Sequence, residues 1–405
     1  MRVSDAGPAG QTASGLQLAT SKRFNSSPES CSRCSFMIVS RLSLHEVHAA
    51  LGGTFTEVTG AEAVDHYGDA VAEHRAFRET AGVIDLSFRG RMCLTGADRV
   101  RLLHGQVTND VLKLKTGEGC YAAFVSNKGR LEADVNIYAL AHELLLDLEP
   151  GLTPTLTQRL EHYVVADDVQ IVDAAPYYGL LSVQGPSAAN VIAQLGLDVA
   201  LPVAPLQFAH QADPTLGDLY FTVHARTGFA GFDCFIPTAA LGVVFDKLVF
   251  AAKQVGGRAG GFDALELARF EAGIPRFGMD MDATNLPPET GQDARAISYA
   301  KGCYIGQEVI ARIRTYGQVA KALRGLRLAD DLATLPVKGD RLVKDGKDVG
   351  LITSAKRSPT FGGVLALGYV RREANGIGTE LTLRTAVGES LARVVELPFR
   401  ALQHN

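Results

Sequence analysis

GCYAAFVSNKGRLEADVNIYAL, from Gly119 to Leu140, places two arms of small, apolar and β-branched residues around an Asn-Lys-Gly centre. This pattern predicts two strands turned at NKG, and HELLLDLEP directly after them predicts a third. On the second arm Val135 and Ile137 supply an inward face, so alternation sends Asp134 to the other side. The region therefore begins as a sheet of consecutive antiparallel strands.

Upstream, VIDLSFRGRMCLTG alternates like a strand pair, and ADRVRLLHGQVTNDV reads as a helix ending near Gly105. Before these, LSLHEVHAALGG and DHYGDAVAEHRAFRETAG read as helices, the second closing on a glycine suited to a left-handed cap. Downstream, TPTLTQRLEHYVV and PSAANVIAQLG are helical, whereas DVQIVDAA, YYGLLSVQG and LYFTVHARTGFAGFDCFIP carry strand patterns. TAALGVVFDKLVFAAKQVGG and FDALELARFEAG are amphipathic helices. Strands and helices joined by short connections predict an α+β fold. Residues 274–297 form a loop too long to be idle in a compact region, and such loops commonly line sites.

From about residue 325 to the end the chain breaks into short strands punctuated by Gly, Pro and Asp, which predicts a small β-barrel or sandwich. The expected organisation is a disordered tail over residues 1–36, an α+β region over 37–324 and a β-barrel over 325–405. The tail is rich in Gly, Ser, Ala and Pro, and its Cys31-Ser-Arg-Cys34 spacing lacks the second ligand pair of a metal site. Patterned sequence begins directly after Met37, so Met37 is a candidate start.

Of the 405 residues, 46% are hydrophobic and 21% charged, which is ordinary globular composition. A net charge of −4 supplies no global attraction for nucleic acid or anionic lipid. Six unevenly spaced cysteines suit a reducing compartment, and no apolar run is long enough for a membrane span. These features predict a soluble, cytoplasmic protein without direct nucleic-acid or membrane partners. P-loop, GxGxxG, GxSxG and HExxH signatures are absent. The ten histidines are dispersed, His45 and His48 read as a solvated helix face, and no metal is expected.

One motif stands apart. In ISYAKGCYIGQEVIARIRTYGQ, residues 297–318, Gly302 and Gly306 permit sharp turns around Cys303. A helix starting at Gln307 and Glu308 and the cation of Lys301 both favour a thiolate at Cys303. The alternative is a small structural cysteine in a tight turn. Glu308 reads as a carboxylate stabilising the start of that helix.

KGCYIGQE resembles the signature of the YgfZ-type folate-binding proteins, a branch related to the glycine-cleavage T protein, the aminomethyltransferase. LTGADRVRLLHGQVTNDV, LLSVQGPSA, ARTGFAGFD, RFEAGIPRFGMDMD and LPPETG follow in that family's order, from about Val83 to the C-terminus. The resemblance implies a ring of two α+β units and a C-terminal β-barrel around a channel for tetrahydrofolate or a one-carbon derivative. It also implies a role in iron-sulfur cluster assembly or repair, with iron-sulfur proteins or assembly factors as partners and indirect effects on tRNA modification. A folate-dependent aminomethyltransferase or other one-carbon transferase is the alternative function.

By this resemblance Cys303 is the reactive group and Lys301 tunes it, while Tyr121 and Asp134 lie beside the folate. Asn109 and Arg226 match positions at the channel rim. Glu271, Arg276 and Arg295 are candidates to order the long loop or receive the glutamate tail. Phe229 and Leu265 stand where the transferases carry Glu and Arg.

Overall fold

Gly119–Val125 pairs antiparallel with Leu131–Ala139, which sets Tyr121 opposite Asn136 and Ala123 opposite Asp134. This is the predicted hairpin, seen in a computed structural model that describes residues 39–400 except Gln318. The readings of the N-terminal tail, Cys31, Cys34 and Met37 fall outside those residues. Leu144–Leu148 adds on the far side and brings Asp147 opposite Asn136. Strand pleating then sorts the side chains. Ala133, Val135 and Ile137 enter a core with Ala122, Phe124, Leu146 and Leu148, while Tyr121, Asp134, Asn136 and Asp147 share the other face.

Gly90–Thr95 and Gln170–Asp173 complete this five-stranded sheet. A second sheet of six strands runs in the order Phe208–Asp213, Gly217–Val223, Gly231–Pro237, Tyr178–Gln184, Gly82–Asp85 and Arg258–Ala259. The helix Leu241–Gln254 packs on it through Leu241, Val244, Phe245 and Leu248. The expected pair within VIDLSFRGRMCLTG is thus corrected. Both strands form, but Gly82–Asp85 belongs to the six-stranded sheet and Gly90–Thr95 to the five-stranded one.

The crossing between sheets has a visible cause. Arg91 is almost wholly buried and donates to the carbonyls of Ser87, Arg89 and Tyr178 at 2.8 to 3.0 Å. Its guanidinium satisfies backbone groups that a hairpin ladder would otherwise have paired. Tyr178 ends the second crossing, from Gln170–Asp173 to Tyr178–Gln184, so one side chain ties both.

The N-terminal reading also changes. Thr54–Val58 pairs with Ala61–His66, a hairpin absent from the expectation, and the following helix spans only Ala70–Glu79. Asp69 caps it by accepting from the Ala72 N–H at 2.9 Å. Gly82 is not its left-handed cap but part of a strand, where an added Cβ would lie 2.1 Å from the Phe77 ring. Close packing, rather than positive φ, requires glycine there.

The last six strands close a barrel in the order Lys321–Leu328, Val364–Arg371, Lys347–Arg357, Arg341–Lys344, Glu380–Thr385 and Gly388–Val395. Leu326, Leu342, Ile352, Ala366, Leu383 and Val394 fill it. Asp280 binds the barrel to the preceding region by accepting from Thr353 at 3.0 Å and Ser354 at 2.6 Å while holding Arg269 at 2.6 Å.

The two sheets meet through Arg226. Its Nη2 donates to Asp147 of the five-stranded sheet at 2.8 Å and to Asp233 of the six-stranded sheet at 2.6 Å. Both aspartates are fully buried. Removing one partner from such a cluster leaves uncompensated charge in low dielectric, which typically costs about 3–5 kcal/mol. Arg226→Met should lower unfolding stability by about that amount in urea titrations, with restoration when Asp233→Asn is added.

Candidate functional site

A cleft of about 780 Å³, counting its open mouth, lies over the polar face of the five-stranded sheet. Tyr121, Asp134 and Asn136 form part of its wall, and His224 and Arg226 arrive from beyond the strand Gly217–Val223. The helix Phe262–Glu271 contributes Leu265, Glu266 and Arg269, and the long loop contributes Arg276, Gln292 and Arg295. The expectation that this loop lines a site therefore holds.

Most carboxylates here are matched by guanidinium groups. Asp147 accepts from Arg89 Nε at 2.7 Å and from Arg226; burial alone would raise its pKa, but these cations hold it well below the usual range. Asp233 is likewise brought down to about 2, the opposition of burial being outweighed by Arg226 and His224. Glu266 pairs with Arg269 at 2.6 Å and lies 3.0 Å from Arg276, which together offset its burial and bring it to about 2. Glu149 is held by Arg89 and, at 3.4 Å, by Arg276.

Asp134 differs. Its Oδ2 accepts from the Tyr121 hydroxyl at 3.0 Å, and among the described residues no salt bridge reaches it. Burial first, and the neighbouring Glu149 second, push its carboxyl up to about 6 against the weaker pull of Arg89. A carboxyl poised near neutrality in a cleft can hold or release a proton under ordinary conditions. Burial also drives Tyr121 well above its ordinary value, so the phenol stays protonated and donating.

Arg295 lies over the Tyr121 ring, its guanidinium carbon 4.3 Å from the centroid. It is exposed and, among the described residues, makes no salt bridge. Asn109 fixes this contact from behind, since its Nδ2 donates at 2.9 Å to the carbonyls of both Tyr121 and Arg295. Asp147, His224 and Asp233 bring possible ligand atoms within 4.8 Å of one another. Arg226 already donates to both carboxylates, and burial with the same arginine lowers the pKa of His224.

Tyr121, Asp134, Arg226, Arg276 and Arg295 thus meet in the cleft, whereas Asn109, Glu271, Lys301 and Cys303 do not line it. Asn109 positions Tyr121 and Arg295 without lining the space. Glu271 binds His74 at 2.9 Å, Thr360 at 2.8 Å and Ser358, joining two helices to the barrel. Lys301 is buried and gives its ammonium protons to the carbonyls of His104, Val107 and Asn109 at 2.6, 2.6 and 2.8 Å. It caps the end of the helix Arg99–Gln106, where terminal carbonyls otherwise lack donors. Burial lowers its pKa to about 8.

Cys303 is exposed and does not line the cleft. It precedes the helix Gln307–Tyr316, whose N-cap Gly306 has φ of 80°, so the predicted turn and helix start are present. Phe229 also stands outside the cleft, 5.9 Å from the Arg78 guanidinium carbon, whereas Leu265 lines it. The departure at Phe229 therefore does not alter the cleft wall. His48, expected on a solvated face, is wholly buried between Asp85 at 3.0 Å and the Tyr67 hydroxyl at 2.8 Å.

Sequence reading missed Arg89, Asn136, Glu149, Glu266 and Arg269. Asn136 had a usable signal, because residues two apart on a strand share a face and Asp134 was already assigned to it. The others required knowledge of which strands and loops meet.

The comparisons with known proteins agree with this architecture. Residues 44–301 match the GCVT N-terminal domain and residues 321–400 the glycine cleavage T-protein C-terminal barrel domain. An aminomethyltransferase of Symbiobacterium thermophilum is 29% identical over 377 residues, covering 90% of this chain and 98% of that protein. One from Halalkalibacterium halodurans is 28% identical over 361 residues, covering 88% and 96%. The crystal structure of glycine cleavage system aminomethyltransferase T from Bartonella henselae superposes with a TM-score of 0.81 at 23% identity, covering 89% of this chain and 98% of that one. Two family domains matched in sequence order, over a fold that closes the same way, make this chain a member of the glycine cleavage T-protein family.

Proposed function

We propose that the chain binds tetrahydrofolate in the Asp134 cleft and acts as a folate-dependent aminomethyltransferase or related one-carbon transferase. The carrying observation is Asp134, a cleft carboxyl held near neutrality while its neighbours are neutralised by arginine. Family membership and the relatives named aminomethyltransferase support the same reading.

The wall chemistry fits a reduced folate. Leu86, Phe88, Phe262 and Leu265 give an apolar slot, and Asn136 Oδ1 is a buried acceptor without a partner. Bound tetrahydrofolate would supply a nucleophilic nitrogen that accepts a one-carbon unit. Tyr121 engages Asp134 Oδ2, which leaves Oδ1 to hold or take a proton beside that nitrogen. Arg295 offers an exposed cation for the glutamate carboxylates, with its segment anchored by Asn109.

The iron-sulfur accessory role is a second reading, supported by the exposed Cys303 within KGCYIGQE. In that reading the thiol acts outside the cleft, and folate binding and thiol chemistry occupy different surfaces.

Three outcomes test these readings. Formation of methylene-tetrahydrofolate from an aminomethyl donor should rise with pH through about 6, as Asp134 loses its proton. Asp134→Asn should remove that limb and lower kcat by about 10²–10⁴-fold; an unchanged pH profile would discard the role. Arg295→Ala should weaken tetrahydrofolate about tenfold in calorimetric titration and leave a tail-less pterin unaffected. Cys303→Ala should preserve turnover in the transferase reading; reduced iron-sulfur enzyme activity in cells, with normal turnover and expression, would favour the accessory role.

A further inference from the structure

Asn136 is 6% exposed, lines the cleft and leaves one polar atom unanswered. Its Nδ2 donates to Asp147 Oδ2 at 3.0 Å, but its Oδ1 is buried without a hydrogen-bond partner. Asp147 fixes which end of the amide is which. Held below its ordinary pKa by Arg89 and Arg226, Asp147 is ionised and can only accept hydrogen bonds. The amide nitrogen must therefore face Asp147, and rotation of the amide would set oxygen against carboxylate. Oδ1 is left as a pure acceptor in a place where an unpaired acceptor is costly.

We propose that Asn136 is a specificity-determining residue that accepts a hydrogen bond from the 2-amino group of the pterin ring. This inference rests on the folate reading above and extends it from a binding cleft to one identified contact. Asp134 and Asn136 stand two residues apart on the strand Leu131–Ala139, and therefore about 7 Å apart on one face. A fused two-ring heterocycle spans that interval, so a ring with its reactive side at Asp134 presents its opposite edge to Asn136. The reduced pterin carries the exocyclic amine, a donor, on that edge. Arg89 and Arg226 act one step further back by keeping Asp147 charged and the amide oriented.

The test is calorimetric binding of tetrahydrofolate and its 2-desamino-2-methyl analogue to the full chain and to Asn136→Leu. The unaltered protein should prefer tetrahydrofolate by about tenfold, the usual effect of one neutral hydrogen bond. Asn136→Leu should lose that preference by weakening tetrahydrofolate alone, with analogue affinity unchanged; a lowered circular-dichroism melting temperature reports the donor lost to Asp147 and does not bear on the preference. Persistence of the preference in Asn136→Leu overturns the assignment. If that variant fails to fold, the unaltered protein still decides, because equal affinity for the two ligands also overturns it. Binding without discrimination removes this contact alone, whereas no tetrahydrofolate binding to the unaltered protein removes the folate reading and this contact with it.

Discussion

The guanidinium of Arg226, shared between Asp147 and Asp233, is the constraint on which the site depends. Each aspartate comes from a different sheet and is wholly buried, and Arg226 is the cation they share, with Arg89 completing the balance of Asp147. The shared cation makes the junction of the sheets polar but electrically balanced. It also lets an open cleft border that junction, with Arg226 itself exposed to the cleft wall.

From this junction the site follows by sheet register. Asp147 stands opposite Asn136, and Asn136 stands opposite Tyr121, so one row of cross-strand neighbours runs from the clamp to the cleft wall. Asp134 lies one step along the same face, without a salt bridge to the arginines that neutralise Asp147, Glu149 and Glu266 and with only the weaker pull of Arg89. Its near-neutral carboxyl is thus a consequence of position within a balanced charge network. The same network that stabilises the fold leaves one group poised for proton chemistry.

The cysteine motif has a different structural meaning from the one its spacing suggests. Lys301, two residues before Cys303, spends its charge on the end of the helix Arg99–Gln106 and so anchors the motif to the α+β region. Cys303 then stands on an exposed turn before the helix Gln307–Tyr316. Glu271 shows a similar change of place, since it joins the helices Ala70–Glu79 and Phe262–Glu271 to the barrel instead of facing the cleft. Charged residues in a signature can thus serve the framework around a site as much as the site.

Local sequence determined the elements whose chemistry is local. The hairpin at NKG, the exposure of Asp134 to the face opposite Val135 and Ile137, the helix after Gly306 and the barrel strands were all legible, because side-chain period and glycine placement act over a few residues. Resemblance added the family and, through it, Tyr121 and Arg226, while Arg276 followed from its place in the long loop. Tertiary structure alone decided that Gly82–Asp85 and Gly90–Thr95 part into different sheets, that His48 is buried, and that Arg89, Glu149 and Glu266 converge on the cleft. Those outcomes depend on partners far along the chain, such as Arg226 with Asp147. A residue's period reveals the face it occupies, but the charge and solvent it meets there are set by whatever else folds against that face.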